Sequence, residues 1–197
     1  MMRPHIAITI LLSVGELLQA ASLEVRMKSI LLRLDSPKSW RIRSSSEGLT
    51  VSSYPAASSV RGAVTPIDGA DMHILVDEQI AEYADWSGKD VGDLAGKVRT
   101  RYGKLTNVTG LSIQRLKVSG RSGILSVASL DVVFNPGSKA ELTELHWFTQ
   151  IDGHLVHAVL AAYSSNPGFV EFKRIFEMTV ESVRVSRLPS DKMRAKP

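Results

Sequence analysis

Leu142-Thr-Glu-Leu-His-Trp-Phe-Thr-Gln-Ile151 and His154-Leu-Val-His-Ala-Val-Leu-Ala-Ala-Tyr163, joined by Asp152-Gly153, decide the fold of this chain. Both runs are rich in β-branched and aromatic residues, and Asp-Gly accepts the positive φ that a tight hairpin requires at both central positions. A two-residue turn fixes the register, with Phe148 opposite His157 and His146 opposite Val159. His146 and His157 then lie diagonally on one face of the sheet, within reach of each other.

Working backwards from the hairpin, Leu111 to Val118 and Ile124 to Phe134 read as two further strands. Ser119-Gly120-Arg121 turns the chain between them, and Asn135-Pro136-Gly137 breaks it afterwards. Met72 to Val76 is another strand, and shorter alternations at Trp40 to Arg43 and Leu49 to Tyr54 give two more. Ala56 to Gly69 reads as loop, with room for an edge strand at Val60 to Val64.

The spacing of Val91, Leu94, Ala95, Val98 and Tyr102 predicts a helix over Asp90 to Tyr102. Asp90 is placed to cap its first turn, Asp93 adds negative charge there, and Gly103 is expected to end it with a left-handed backbone. A second helix is predicted from Pro167 to Val183, capped by Asn166. Phe169, Phe172, Phe176, Thr179 and Val183 share its apolar stripe, with Ile175 beside it. Three aromatics on one stripe require a sheet to cover, so this helix is expected to dock across the preceding hairpin. The fold class is therefore α+β, an antiparallel sheet flanked by helices.

The chain has 197 residues, 44% of them hydrophobic and 22% charged, enough for one domain with its own core. It has no cysteine, which excludes disulfides, thiolate zinc sites, a thiol nucleophile and a lipid-modified cysteine. The formal net charge is +4. All of it falls between Arg184 and Pro197, where Arg184, Arg187, Lys192, Arg194 and Lys196 outnumber Asp191. The body is balanced, so a phosphate-binding face is not expected, and Arg99, Arg101 and Lys104 read as solvated helix-end charge. No nucleic-acid partner follows.

Residues 1–22 read as a secretory signal. Arg3 starts it, Ile6 to Leu12 is an apolar run interrupted by Thr9, and Ala20-Ala21-Ser22 offers a cleavage site before Leu23. The run is too short to span a bilayer, so no membrane span is expected in the mature chain. The alternative is a cytoplasmic chain with its true start at Met27. The resulting division is a signal over 1–22, a segment of open structure over 23–38, an α+β domain over 39–185 and a disordered basic tail over 186–197.

Three motifs carry a resemblance: Lys117-Val-Ser-Gly-Arg-Ser-Gly-Ile124, Trp147-Phe-Thr-Gln-Ile-Asp-Gly-His154 and Phe172-Lys-Arg-Ile-Phe-Glu-Met-Thr-Val-Glu-Ser-Val183. With the element order, they resemble the PsbP-like fold shared by DcrB-like bacterial proteins and the Ran-binding Mog protein. The resemblance implies an α/β/α sandwich over about residues 40–185 and a mostly non-enzymatic role with a protein partner. It also implies an alternative, a cytoplasmic Eag-type chaperone that shields apolar helices of a secreted effector. The motifs build the fold and carry no catalytic signature.

Chemistry-bearing residues are few. His146 and His157 are the sole metal candidates, but zinc or copper needs at least one more donor, and a packed, partly buried pair is the reading adopted. Glu144 near His146 and Asp131 within an apolar strand are read as exposed positions of a half-buried sheet. Ser44-Ser45-Ser46 and Ser164-Ser165 are loop composition, and no nucleophile elbow, phosphate loop or zinc-protease motif occurs. Tyr83 and Trp86 read as core edge. No catalytic residue, cofactor-binding residue or cofactor is assigned. The expected function is an exported, periplasmic or secreted, non-enzymatic accessory protein, with an envelope carrier of a small apolar ligand as a further alternative.

Overall fold

The computed structural model describes residues 20–27, 30–45, 48–54, 68–76, 93–135 and 138–188. The signal through residue 19, the Val60 to Val64 strand, Asp90, Val91, Tyr83, Trp86 and the tail beyond 188 lie outside them. Within them the strands are β1 Ala20–Met27, β2 Ile30–Pro37, β3 Arg41–Ser45, β4 Gly48–Ser52, β5 Ala70–Val76, β6 Val108–Val118, β7 Arg121–Asn135, β8 Ser138–Ile151, β9 His154–Tyr163 and β10 Arg184–Arg187. The helices are α1, Leu94–Tyr102, and α2, Phe169–Ser182.

Seven strands form one antiparallel sheet in the order β3-β4-β5-β9-β8-β7-β6. The chain leaves β5, passes through α1 to the far edge, and returns as the meander β6-β7-β8-β9 until β9 pairs with β5. The four meander strands are those expected from the sequence. Asp152 and Gly153 take φ of 49° and 83°, as do Ser119 and Gly120 at 49° and 78°, so both hairpins close on two residues. Phe148 pairs with His157 and His146 with Val159, the register expected from the Asp-Gly turn.

That register sorts the side chains. On one face, Trp147, Leu145, Val156, Ala158, Leu160 and Met72 build the larger core with Ile175, Phe176 and Val180 of α2. On the other, Ile124, Ala128, Phe148 and Leu155 meet Leu94, Val98 and Tyr102 of α1. Each large apolar side chain so buried contributes about 1.5–3 kcal/mol. α2 covers the hairpin as expected and also packs on β2. Residues 23–38, whose structure the sequence leaves open, form β2 and most of β1. β2 pairs with β1 and β10 in a three-stranded sheet and sends Ile30, Leu32 and Leu34 into the same core. The fold is thus α+β and sheet-dominated, because one face of the main sheet is shared between a helix and a second small sheet.

The helix ends differ in detail from expectation. α2 starts at Phe169, two residues later than expected, with Gly168 at its N-cap and no side-chain cap bond, while Asn166 Oδ1 accepts from the Gly168 N–H at 2.7 Å in the turn before it. Asp93 precedes α1 without a side-chain cap bond. Gly103 ends α1 with φ of −65°, a right-handed backbone, contrary to the left-handed expectation. The chain there tightens one more turn, with the Gly103 N–H donating to Arg99 O at 2.8 Å and that of Lys104 to Arg101 O at 3.2 Å.

Gly123 explains part of the glycine motif. A Cβ there would lie 2.5 Å from the Phe148 carbonyl oxygen and 3.2 Å from Trp147 Nε1, so β7 and β8 could not keep their approach. Gly153 has open space around it, and only its φ resists substitution. Gly123→Ala is expected to cost about 1–3 kcal/mol, and Gly153→Ala about 1 kcal/mol. Thermal unfolding of the two variants should place the Gly123→Ala midpoint lower.

Candidate functional site

The polar residues of the meander converge on the α1 side of the sheet. Glu144, His146 and Phe148 alternate along β8, and His157 stands diagonal to His146 on β9. His146 and His157 are both 3% exposed. His146 Nδ1 lies 2.9 Å from His157 Nε2, and His146 Nε2 lies 3.2 Å from Glu144 Oε2. From above, the Tyr102 hydroxyl donates to Glu144 Oε2 at 2.6 Å and also contacts His146 Nε2. The rings are stacked, with the His157 and Phe148 centroids 3.9 Å apart, and Tyr102 sits edge-on to His146. Arg101 lies beside the cluster, its Cζ 5.8 Å from the Tyr102 centroid.

The electrostatics follow from burial and these contacts. Burial alone would raise the Glu144 carboxyl, but the hydrogen bond and charge of His146, with the Tyr102 hydroxyl, outweigh it and hold the group at about 2. Burial, followed by the positive neighbours His146, Arg101 and His73, holds His157 well below the ordinary histidine range. A second polar group sits further across the same face. Asp71 accepts from Ser52 Oγ at 2.7 Å and from the Tyr54 hydroxyl at 2.5 Å. Burial, then the bond and charge of Asp71, push the Tyr54 hydroxyl up to about 12.

The structure brings together His146, His157 and Glu144, and it adds Tyr102, which the sequence places only on an apolar stripe. A buried tyrosine needs a partner for its hydroxyl, and that requirement was the available signal. Glu144 is partly buried and hydrogen-bonded rather than simply exposed. Asp131 stands apart on the opposite face of β7, its backbone N–H donating to Asn107 O at 2.8 Å. Ser164 Oγ donates to Glu141 Oε1 at 2.9 Å, a loop tie.

The cluster is closed on itself. Both nitrogens of His146 are directed at other side chains of the cluster, so its ring does not activate Ser126, its neighbour in register on β7. Among the described residues no group of three or more histidines and carboxylates is arranged to hold a metal ion. The arrangement ties α1 to the sheet through a polar network in which Glu144, His146 and Tyr102 bond one another and His157 joins through its Nε2.

Glu144 sets the acid limit of this network. Its pKa is depressed in the folded state, so its contribution is complete above about pH 4.5 and is lost as pH falls toward 2. Chemical denaturation across that window should show stability falling by up to about 1.4 kcal/mol per pH unit from this group. Glu144→Gln should flatten that limb while lowering stability at neutral pH.

No family model matches the chain, and no curated protein sequence matches it. Solved structures do. The chain is similar to LpqN of Mycobacterium tuberculosis, a protein involved in cell envelope biogenesis, at 12% identity and a TM-score of 0.51, with 85% of this chain and 91% of that one covered. It is similar to Mog1p, the Ran-binding protein of Saccharomyces cerevisiae, at 10% identity and a TM-score of 0.51, covering 84% and 96%. At such identities the likeness concerns architecture alone. The chain has the Mog1/PsbP-like fold.

Proposed function

We propose that this chain is a non-enzymatic binding domain that takes an extended, acid-bearing segment of a partner protein onto the outer edge of β6. The observation that carries the reading is β6 itself. It runs for 11 residues at the edge of the main sheet and is exposed along most of its length. Among the described residues its outer side pairs with no strand, whereas the opposite edge, β3, has five residues. The main chain on the outer side of an edge strand is the template that added strands use. β6 carries Arg115 and Lys117 and no acid. Those cations, with the bulge between Val108 and Gly110, oppose pairing with a second copy and favour an acidic strand.

The closed acid–base cluster supports a non-enzymatic role, because its groups are buried and bonded to one another. Mog1p, a Ran-binding protein of the same fold, supports a binding role, and LpqN's part in envelope biogenesis supports an extracytoplasmic one. In this reading residues 1–22 direct export. Cleavage before Leu23 shortens β1 and leaves Leu23 to Met27 paired with Ile30 to Leu34.

The chaperone alternative needs an open apolar groove on the sheet. Among the described residues the apolar positions of β8 and β9 are covered by α1, α2 and the small sheet, which disfavours it. The carrier alternative needs an enclosed apolar pocket. Among the described residues the cleft between β2 and α2, lined by Pro37, Ile175 and Met178 among others, is open and has room for about one water, far below the usual range of such sites.

A photo-crosslinking residue at Gln114, with one at Arg43 on the opposite edge as control, tests the proposal in the native host. The Gln114 position should yield a crosslink to an acidic segment of one partner protein. Arg115→Glu with Lys117→Glu should cut that yield at least tenfold. Equal crosslinking at both edges, a crosslink only to a second copy, or insensitivity to the charge reversal would overturn it. Intact mass from the envelope fraction tests the export step, with residues 23–197 expected and a full-length or Met27-started cytoplasmic chain contradicting it.

A further inference from the structure

We infer that His146 and His157 form an acid-sensitive latch that holds α1 on the sheet and lets it lift when the pair is forced to take a fourth proton. The inference rests on counting hydrogens. His146 Nε2 faces the Glu144 carboxylate and so carries a hydrogen. His146 Nδ1 and His157 Nε2 face each other at 2.9 Å, where one hydrogen fits between them. With both rings neutral, His157 Nε2 donates to His146 Nδ1. With one ring charged, the shared hydrogen is still single, and His157 Nδ1 carries the third. With both rings charged, two N–H groups point at each other with no acceptor between them. The closed cluster therefore holds at most three protons on four ring nitrogens, while two separated histidines hold four.

Among the described residues the groups facing the pair set one bonded carboxylate against several cations. β8 contributes Glu144, whose carboxylate matches one imidazolium but not two. α1 contributes Tyr102, a donor to Glu144, and Arg101, whose charge further opposes a second imidazolium. β5 contributes His73 and Asp71, of which His73 adds to the opposition. β7 contributes the neutral Ser126.

The pair opens by lifting α1 because α1 is the weakest part of its cover. The helix has nine residues, too short to stand alone, and an exposed glycine, Gly96, lies inside it. It holds the sheet through Leu94, Val98 and Tyr102, and Tyr102 bonds the cluster directly. β8 and β9, by contrast, are central strands, paired with each other from Leu142 to Tyr163 and flanked by β7 and β5 over most of that length. What the lift uncovers is apolar: Ile124, Ala128, Leu130, Phe148 and Leu155.

Hydrogen exchange tests this. Since the lifted state binds one more proton, opening of the 94–102 amides, corrected for intrinsic exchange, should rise toward tenfold per pH unit between about pH 6.5 and about pH 4.5, above the range in which Glu144 titrates. The β8 and β9 amides should not follow. His157→Gln keeps a donor toward His146 but cannot take the proton, so its slope should vanish. Tyr102→Phe should raise α1 opening at every pH and leave the slope intact. Opening of α1 that ignores pH, that tracks β8 and β9, or that keeps its slope in His157→Gln overturns the latch. Should His157→Gln not fold, the comparison of α1 with β8 and β9 in the native chain decides.

Discussion

The register of β8 against β9 is the constraint on which the rest of the structure depends. A strand slipped by one residue would turn every side chain to the opposite face. His146 and Glu144 would then enter the large core, and Trp147 and Leu145 would face α1. The two-residue turn at Asp152-Gly153 prevents this, because both residues adopt the positive φ that closes the hairpin without an extra residue. Once the register is set, Trp147 and Val156 meet α2 and the small sheet, and Phe148 and Leu155 meet α1. The two cores are separated by one layer of backbone.

The same alternation turns three polar side chains, Glu144, His146 and His157, into the smaller core, and α1 adds Tyr102. A buried polar group without a partner costs about 1–3 kcal/mol, so the cluster forms as a unit. Glu144 balances charge, His146 bridges, His157 closes one end and Tyr102 closes the other. Its cooperative character makes it a structural tie and a proton-limited one. Catalysis would need at least one of these groups directed at a substrate, and each is directed at a neighbour. In the function proposed, recognition falls to main chain and charge at the β6 edge.

Much of this was legible in the residues. The four meander strands, the Asp-Gly register and the His146–His157 diagonal all follow from alternation and turn chemistry, which are local. The PsbP-like resemblance rested on the same turns. Less legible were contacts between distant segments. Tyr102 reads as one more member of an apolar stripe until α1 is laid over β8. Glu144 reads as an exposed strand residue until that helix covers it. Residues 23–38 fall in a local pair, β1 with β2, but the pair docks through α2 and through β10, more than 140 positions later, and no local pattern announces such partners. Gly103 shows a local rule overridden, since the tightened last turn satisfies the helix end without a left-handed residue.

The most direct test of this account is nitrogen-resolved NMR of the imidazole rings in the full chain near neutral pH. The account predicts a through-hydrogen-bond nitrogen–nitrogen coupling between His146 and His157, with one hydrogen between the facing nitrogens and His157 not charging with the ordinary histidine pKa. Two uncoupled rings, with His157 charging near the ordinary histidine value, would contradict the closed cluster and the reading of the site built on it.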